Sequence, residues 1–124
     1  MLGKIILWIS AISFISYGLA CLASPALPTG YAGLSMTNGD AFAEIGAMYG
    51  GLQTGFGLFC LLAALNPGYY KSGLVVLVLC VGSLALGRLY STVMAGDPVA
   101  GYTWGAMAYE FTTAILAALA LRKA

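Results

Sequence analysis

The chain has 124 residues, of which 61% are hydrophobic and only 7% are charged, and its net charge is +1. A soluble domain carries about 25% charged residues to cover its surface, so this composition excludes an ordinary soluble domain and indicates lipid as the solvent. The nearly neutral charge also excludes a nucleic-acid partner, which would require a basic patch. The length allows one domain, over residues 1–124.

Four apolar stretches follow one another along the chain, over residues 5–23, 41–65, 73–94 and 103–121. Each is long enough, at 1.5 Å per residue, to cross a hydrocarbon core of about 30 Å as a helix. Barrel strands would instead alternate apolar and polar residues over about 10 positions. The sequence therefore predicts an all-α fold, an integral membrane four-helix bundle. The first stretch also resembles a signal peptide, but its removal would leave three spans, so we expect it to be retained.

The charges outside the spans are separated by sign. Basic residues stand before the first span, in the second connector and after the last span: Lys4, Lys71, Arg122 and Lys123. The first and third connectors carry Asp40 and Asp97 and no basic residue. The positive-inside rule then predicts that both termini lie in the cytoplasm and that the protein resides in the cytoplasmic (inner) membrane.

Small residues recur at four-residue spacing inside the spans. The glycines that we assign to helix packing are Gly46, Gly50, Gly51, Gly55 and Gly87. Small residues at this spacing let helix backbones approach each other in a membrane. They predict either tight packing within the chain or a subunit interface in a homo-oligomer or larger complex, and the pattern alone does not separate these two.

Three charged residues lie inside the predicted spans: Glu44, Arg88 and Glu110. Each costs about 2.5 to 3.5 kcal/mol at a helix centre, so such residues normally face the interior and pair. Counted from the helix ends at 1.5 Å per residue, their depths agree to within about 6 Å. The sequence therefore predicts one Glu–Arg–Glu layer in the outer-leaflet half of the bundle.

Polar residues accompany these charges on their helices, and we assign five of them to the same layer: Tyr17, Tyr49, Gln53, Ser91 and Tyr109. One interpretation is a buried ion pair that holds three helices together. The other is a binding site, because two carboxylates and one guanidinium leave one negative charge to be balanced by a proton, a cation or a polar ligand. The sequence leaves both interpretations open.

The chain offers little else for chemistry. It has no histidine, and Cys21, Cys60 and Cys80 form no Cys-x-x-Cys motif. No metal site and no cofactor are expected from such a set, and we interpret the cysteines as small packing residues.

A pattern of charged and small residues in the spans resembles that of a known family. They are Glu44-x-x-Ala47-x-Tyr49-Gly50-Gly51, then Gly87-Arg88 with Ser91 and Asp97, and then Glu110. This pattern, over nearly the whole chain, is similar to that of a family of small bacterial four-helix membrane proteins, domain of unknown function 4345. The resemblance implies a fold and a topology but no activity. It also implies that many members carry a basic residue at the position of Gly46. The charge balance near Glu44 in this chain therefore differs from that of those members.

Three classes of function remain open. The first is a binding or accessory protein, in which the polar layer holds a membrane lipid or small amphiphile or docks on a larger membrane complex. The second is a proton-coupled transporter with Glu44 or Glu110 as the proton carrier. The third is an intramembrane isomerase-type enzyme with the two Glu residues as acid and base. We expect the first, then the second and then the third, since the sequence contains no nucleophile motif and no phosphate loop for an enzyme.

Overall fold

A computed structural model describes all 124 residues, which form helices joined by short connectors and no strands. There are five helices: α1 (Leu2–Ala23), α2 (Leu27–Ala32), α3 (Gly39–Leu65), α4 (Pro67–Met94) and α5 (Gly101–Arg122). All of these except α2 are long and apolar enough to cross a membrane. The prediction of an all-α fold with four long apolar helices is confirmed, and the arrangement is that of a multi-pass membrane protein.

The long helices begin earlier than the apolar stretches do, and local hydrogen bonds explain two of these starts. The Asn38 side chain accepts a hydrogen bond from the Ala41 amide at the start of α3. The Asn66 side chain accepts one from the Gly68 amide, and Pro67 occupies the first position of α4. Both are N-terminal capping arrangements. Hydropathy marks the part of a helix that suits lipid, whereas the cap sets where the helix begins.

The short helix α2 was not predicted, because its proline and glycine content is typical of a loop. Pro25 and Pro28 are buried, and Pro28 stands in the first turn of α2, where its missing amide hydrogen costs nothing. Gly33 follows the helix with φ +71°, the left-handed conformation that commonly ends helices.

Two long helices contain π-helical turns. One covers Gly46–Leu52 in α3, and the other covers Leu77–Val81 in α4. A π turn adds a residue to the helix repeat and shifts the faces on either side of it. Apolar spacing alone does not predict such a shift.

The helices form two compact units: an N-terminal unit, Trp8–Leu62, and a C-terminal unit, Met1–Leu7 with Ala63–Ala124. In the N-terminal unit, α1 and α3 pack closely. A Cβ added at Gly57 would lie 2.7 Å from the Ile15 backbone nitrogen, and one at Gly18 would lie 2.6 Å from the Thr54 nitrogen. Such distances require glycine, because the backbones themselves are in contact.

In the C-terminal unit, α4 packs against the start of α1 and the end of α3. A Cβ at Gly73 would lie 2.3 Å from the Ala63 Cβ and 3.0 Å from Leu7 Cδ2. Helix α4 also packs along α5. A Cβ at Gly82 would lie 3.7 Å from the Ala114 Cβ, which is ordinary contact.

The predicted packing glycines differ from one another in the structure. A Cβ at Gly50 would meet Leu22 Cγ at 2.6 Å, whereas one at Gly46 or Gly51 would have its nearest neighbour at 3.8 or 3.9 Å. At Gly55 and Gly87 nothing lies within 4 Å of an added Cβ, so these two do not pack closely within the chain, and their alternative role in a subunit interface stays a prediction.

The predicted packing glycines of α3 differ because they lie on different faces of the helix. The face of α3 that contacts α1 passes through Gly50 and Gly57, seven residues apart, and Gly51 and Gly55 stand beside it. Four-residue spacing does not specify which face packs. The sequence interpretation also missed the tight contacts at Gly18 and Gly73.

Candidate functional site

The site begins with the buried face of α4. The buried residues Leu74, Leu77, Val81 and Ala85 recur at three- and four-residue spacing along one side of the helix. Arg88 comes three residues after Ala85 and therefore continues that side. The apolar buried face of α4, which extends over about three turns, thus ends at Arg88, and the Arg88 side chain is 24% exposed.

The buried face of α5 places the partner of Arg88. The buried residues there are Met107, Glu110, Thr113, Ala117 and Ala120, again at helical spacing. The Glu110 side chain is only 6% exposed, so its carboxylate is inside the protein and not at the lipid surface. A buried carboxylate in a membrane span requires a partner, because an isolated charge is expensive there.

Arg88 supplies that partner through two parallel hydrogen bonds. Its Nε donates to Glu110 Oε1 at 2.7 Å, and its Nη2 donates to Glu110 Oε2 at 2.8 Å. This is the bidentate fork that guanidinium and carboxylate form through their matching planar shapes. Both bonds use the Nε–Nη2 edge of the guanidinium, so Nη1 is turned away from Glu110.

The pair as a whole carries no net charge, and its two members differ in exposure. Glu110 is enclosed by the protein, whereas about a quarter of the Arg88 side chain is uncovered. The carboxylate therefore orients the guanidinium, and the guanidinium is the member that another molecule can reach. Because the pair is neutral overall and the guanidinium is held in one orientation, the site is suited to polar groups that bring no net charge.

Two residues predicted for the layer lie on the same two helices as the pair. Ser91 is exposed on α4, and Tyr109 is exposed on α5 beside Glu110. Thr113, one turn after Glu110, is 5% exposed and belongs to the same buried face of α5. Its three-residue spacing from Glu110 places the two side chains on one side of the helix.

The other predicted residues belong to the N-terminal unit. Glu44 is exposed on α3, two residues before the π-helical segment that contains Tyr49, and Gln53 follows that segment. Tyr49 and Gln53 are half-buried. The structure thus brings together Arg88 and Glu110 of the predicted layer, and the inclusion of Glu44 in it stays a prediction.

Tyr17, the remaining predicted residue, is part of a contact within the N-terminal unit. Its hydroxyl is hydrogen-bonded to the hydroxyl of Tyr31 at the end of α2. This bond ties the connector helix to the middle of α1. The sequence analysis assigned Tyr17 to the polar layer and did not pair it with Tyr31. The unit also contains Ser10, whose fully buried Oγ has no hydrogen-bond partner.

No group of three or more His, Cys, Asp or Glu side chains is gathered in a way that could hold a metal ion. Cys21 and Cys60 are buried and Cys80 is exposed, and none of the three forms a disulfide.

Fold and site define a small multi-pass membrane protein with a paired Arg–Glu in its spans. Residues 2–121 match the family described as Domain of unknown function (DUF4345), and the chain belongs to this family. No curated protein and no solved structure matches the chain. The predicted membership of that family is confirmed, and the family's description names no activity.

Proposed function

We propose that this protein is a membrane-embedded binding protein that holds the polar head of a small uncharged amphiphile at the Arg88–Glu110 pair. The observation that carries the proposal is the asymmetry of the pair, with Glu110 enclosed and Arg88 a quarter exposed. The uncovered quarter of Arg88 is the part of the pair that the polar head of a molecule in the membrane can approach, whereas Glu110 is enclosed.

The ligand class follows from charge. Arg88 and Glu110 already neutralise each other, so an anionic or cationic head would bring an uncompensated charge into a medium of low dielectric constant. A hydroxyl, ester or amide head accepts a hydrogen bond from a guanidinium without that cost. The head group we propose is therefore an uncharged hydrogen-bond acceptor, such as that of a monoacylglycerol.

The surroundings of the pair suit an amphiphile. Arg88 lies six residues before the end of α4 at Met94, which is about 9 Å along the helix axis. Large apolar side chains on the same stretch are exposed, among them Leu84, Leu86 and Val93. A hydrocarbon tail beside them remains in the lipid phase while its head reaches the guanidinium.

We further propose that the protein lies in the cytoplasmic membrane of a bacterial cell with both ends in the cytoplasm. This orientation places the pair in the outer-leaflet half. It rests on the segregation of Lys4, Lys71, Arg122 and Lys123 from Asp40 and Asp97. The ligand would then enter laterally from the outer leaflet.

The test uses native mass spectrometry of the detergent-solubilised protein with monoolein as the probe. Wild type is expected to retain a monoolein adduct, and the double variant Arg88→Gln with Glu110→Gln is expected to lose it. The double variant leaves no buried unpaired charge and should therefore stay folded. Ser83→Ala serves as the matched control, since it removes an exposed polar group on the same helix, outside the predicted layer, and keeps the pair. Equal adduct retention by wild type and the double variant would contradict the proposal.

Proton-coupled transport is the second candidate, and the observation that favours it is the buried carboxylate of Glu110 within a span. A carrier of this kind must release Glu110 from Arg88 during each cycle. In liposomes with an imposed proton gradient, transport predicts substrate flux that Glu110→Gln abolishes. A binding protein predicts no gradient-dependent flux in either form.

A further inference from the structure

A second feature of the C-terminal unit is its distribution of basic side chains. All five basic residues of the chain belong to this unit, and four of them lie near helix ends: Lys4, Lys71, Arg122 and Lys123. All four are exposed. We call this set the basic end.

Close packing gathers the basic end at one place. Gly3 lies under the Tyr70 side chain, so that a Cβ there would lie 2.7 Å from the Tyr70 ring carbon Cζ. Lys4 and Lys71 are the next residues along the chain from this contact. The start of α1 and the start of α4 are therefore side by side.

The end of α5 joins them. Helices α4 and α5 run antiparallel, because Gly82 lies beside Ala114 while Arg88, further along α4, pairs with Glu110, earlier on α5. The α4 segment Tyr70–Val76 also packs against α5. Arg122 and Lys123, at the end of α5, are thus brought to the same end of the unit as Lys71.

No acidic side chain of the C-terminal unit balances this charge. The unit contains two acidic residues, Asp97 and Glu110. Asp97 lies in the connector at the opposite end of α4, and Glu110 is bonded to Arg88. Four positive charges therefore stand together at a membrane boundary without local neutralisation.

The helix lengths put these charges at headgroup level. Helix α4 has 28 residues, which is about 42 Å at 1.5 Å per residue and exceeds a hydrocarbon core of about 30 Å. With the excess shared equally by the two ends, Lys71, about 6 Å from the start of α4, lies at the edge of the core. Lysine and arginine side chains at helix ends also extend toward the interface.

We propose that the basic end is a binding site for the phosphate of an anionic phospholipid headgroup, separate from the Arg88–Glu110 pair. Charge complementarity selects the ligand, because a phosphodiester with net negative charge neutralises the cluster whereas a zwitterionic headgroup does so only in part. The glycerol-based anionic lipid phosphatidylglycerol is the probe for this class.

The two tryptophans of the chain make a direct test possible. Trp8 lies one helical turn after Lys4 on α1, whereas Trp104 lies at the opposite end, in the first turn of α5. Both are exposed. The variants Trp104→Phe and Trp8→Phe each leave a single fluorescent reporter, one near the basic end and one far from it. Quenching by brominated phosphatidylglycerol, relative to brominated phosphatidylcholine, then measures lipid preference at each end in reconstituted bilayers.

A preference for phosphatidylglycerol of at least about five-fold is expected at Trp8, since one basic residue near an anionic surface contributes about that much. No preference is expected at Trp104. Replacing all four basic residues by glutamine should bring the ratio at Trp8 close to one. The matched control Asp97→Asn changes charge at the other end and should leave Trp8 unaffected. Quenching by brominated phosphatidylcholine reports whether each variant is still inserted.

The assignment is overturned by an equal ratio at Trp8 and Trp104, or by a ratio at Trp8 that survives the four substitutions. Inorganic phosphate, compared with chloride at equal ionic strength, should not displace the brominated lipid. Displacement by phosphate alone would show that the site binds the free anion and would overturn the lipid assignment.

Discussion

Arg88 of α4 and Glu110 of α5 are joined by two hydrogen bonds of 2.7 and 2.8 Å inside the membrane-spanning part of the protein. Such a pair neutralises both charges and fixes the guanidinium plane at the same time. Its effect on stability is separable from its effect on binding, because the two respond differently to single and double substitutions.

The first prediction is that either single substitution of the pair is more damaging than the double one. Arg88→Ala strands a buried carboxylate, and breaking a buried pair costs about 3 to 5 kcal/mol. Arg88→Gln with Glu110→Gln leaves no unpaired charge and should recover most of that loss. The free energy of unfolding in mixed detergent micelles measures both. Equal stability of wild type and Arg88→Ala would mean that the pair does not hold α4 to α5.

The second prediction concerns the approach of α1 to α3. Gly57→Leu forces a side chain into the Ile15 backbone and should destabilise the protein by about 3 kcal/mol, the upper range for overpacking. Gly55→Leu is the matched control, two residues away on the same helix, where nothing lies within 4 Å of an added Cβ. The same unfolding measurement distinguishes them, and similar losses in both variants would place the contact face of α3 elsewhere.

The third prediction concerns the bond between Tyr17 and Tyr31 that ties α2 to α1. Tyr17→Phe should cost about 0.5 to 1.5 kcal/mol, the net contribution of a typical hydrogen bond. Tyr31→Phe should cost less in that background than it does alone, because the bond between the two hydroxyls is already lost. Tyr90→Phe, at an exposed position, should be neutral. Fully additive losses from the two substitutions would argue that the hydroxyls act independently.

The fourth prediction concerns orientation. Single cysteines at Thr37 and Val99 should react in intact cells with a thiol reagent that does not cross the membrane, and one at Ser72 should not. Cys80, the exposed native thiol, is first replaced by alanine so that it does not contribute. Labelling of Ser72→Cys from outside would reverse the proposed topology.

The fold was predictable because a bilayer imposes few choices on a chain with long apolar runs. The helix starts at Asn38 and Asn66 were not located by hydropathy, because capping acts through single side chains outside the apolar runs. Helix α2 was not predicted for a related reason. A proline such as Pro28 is typical of loops in a sequence, although the first turn of a helix also accepts it.

The candidate site was predictable in part. Depth along the helices correctly suggested that Arg88 and Glu110 could meet, because helix rise is nearly constant. Which face each residue occupies depends on packing, and the π-helical turns of α3 and α4 shift those faces. Four-residue spacing carries no information about these faces. It therefore selected Gly50, which has close neighbours, together with Gly55 and Gly87, which have none within the chain.

The most direct test of the proposed function locates the amphiphile relative to the pair. In the Trp8→Phe background, Trp104 is the single fluorophore and lies six residues before Glu110 on α5, about 9 Å along the axis. Monoolein brominated on its acyl chain should quench Trp104 in a saturable manner, and the additional Arg88→Gln and Glu110→Gln substitutions should reduce this to the unsaturable quenching of bulk lipid. Saturable quenching that persists in the substituted protein, or that is absent from the protein with the intact pair, would contradict a binding site at Arg88 and Glu110.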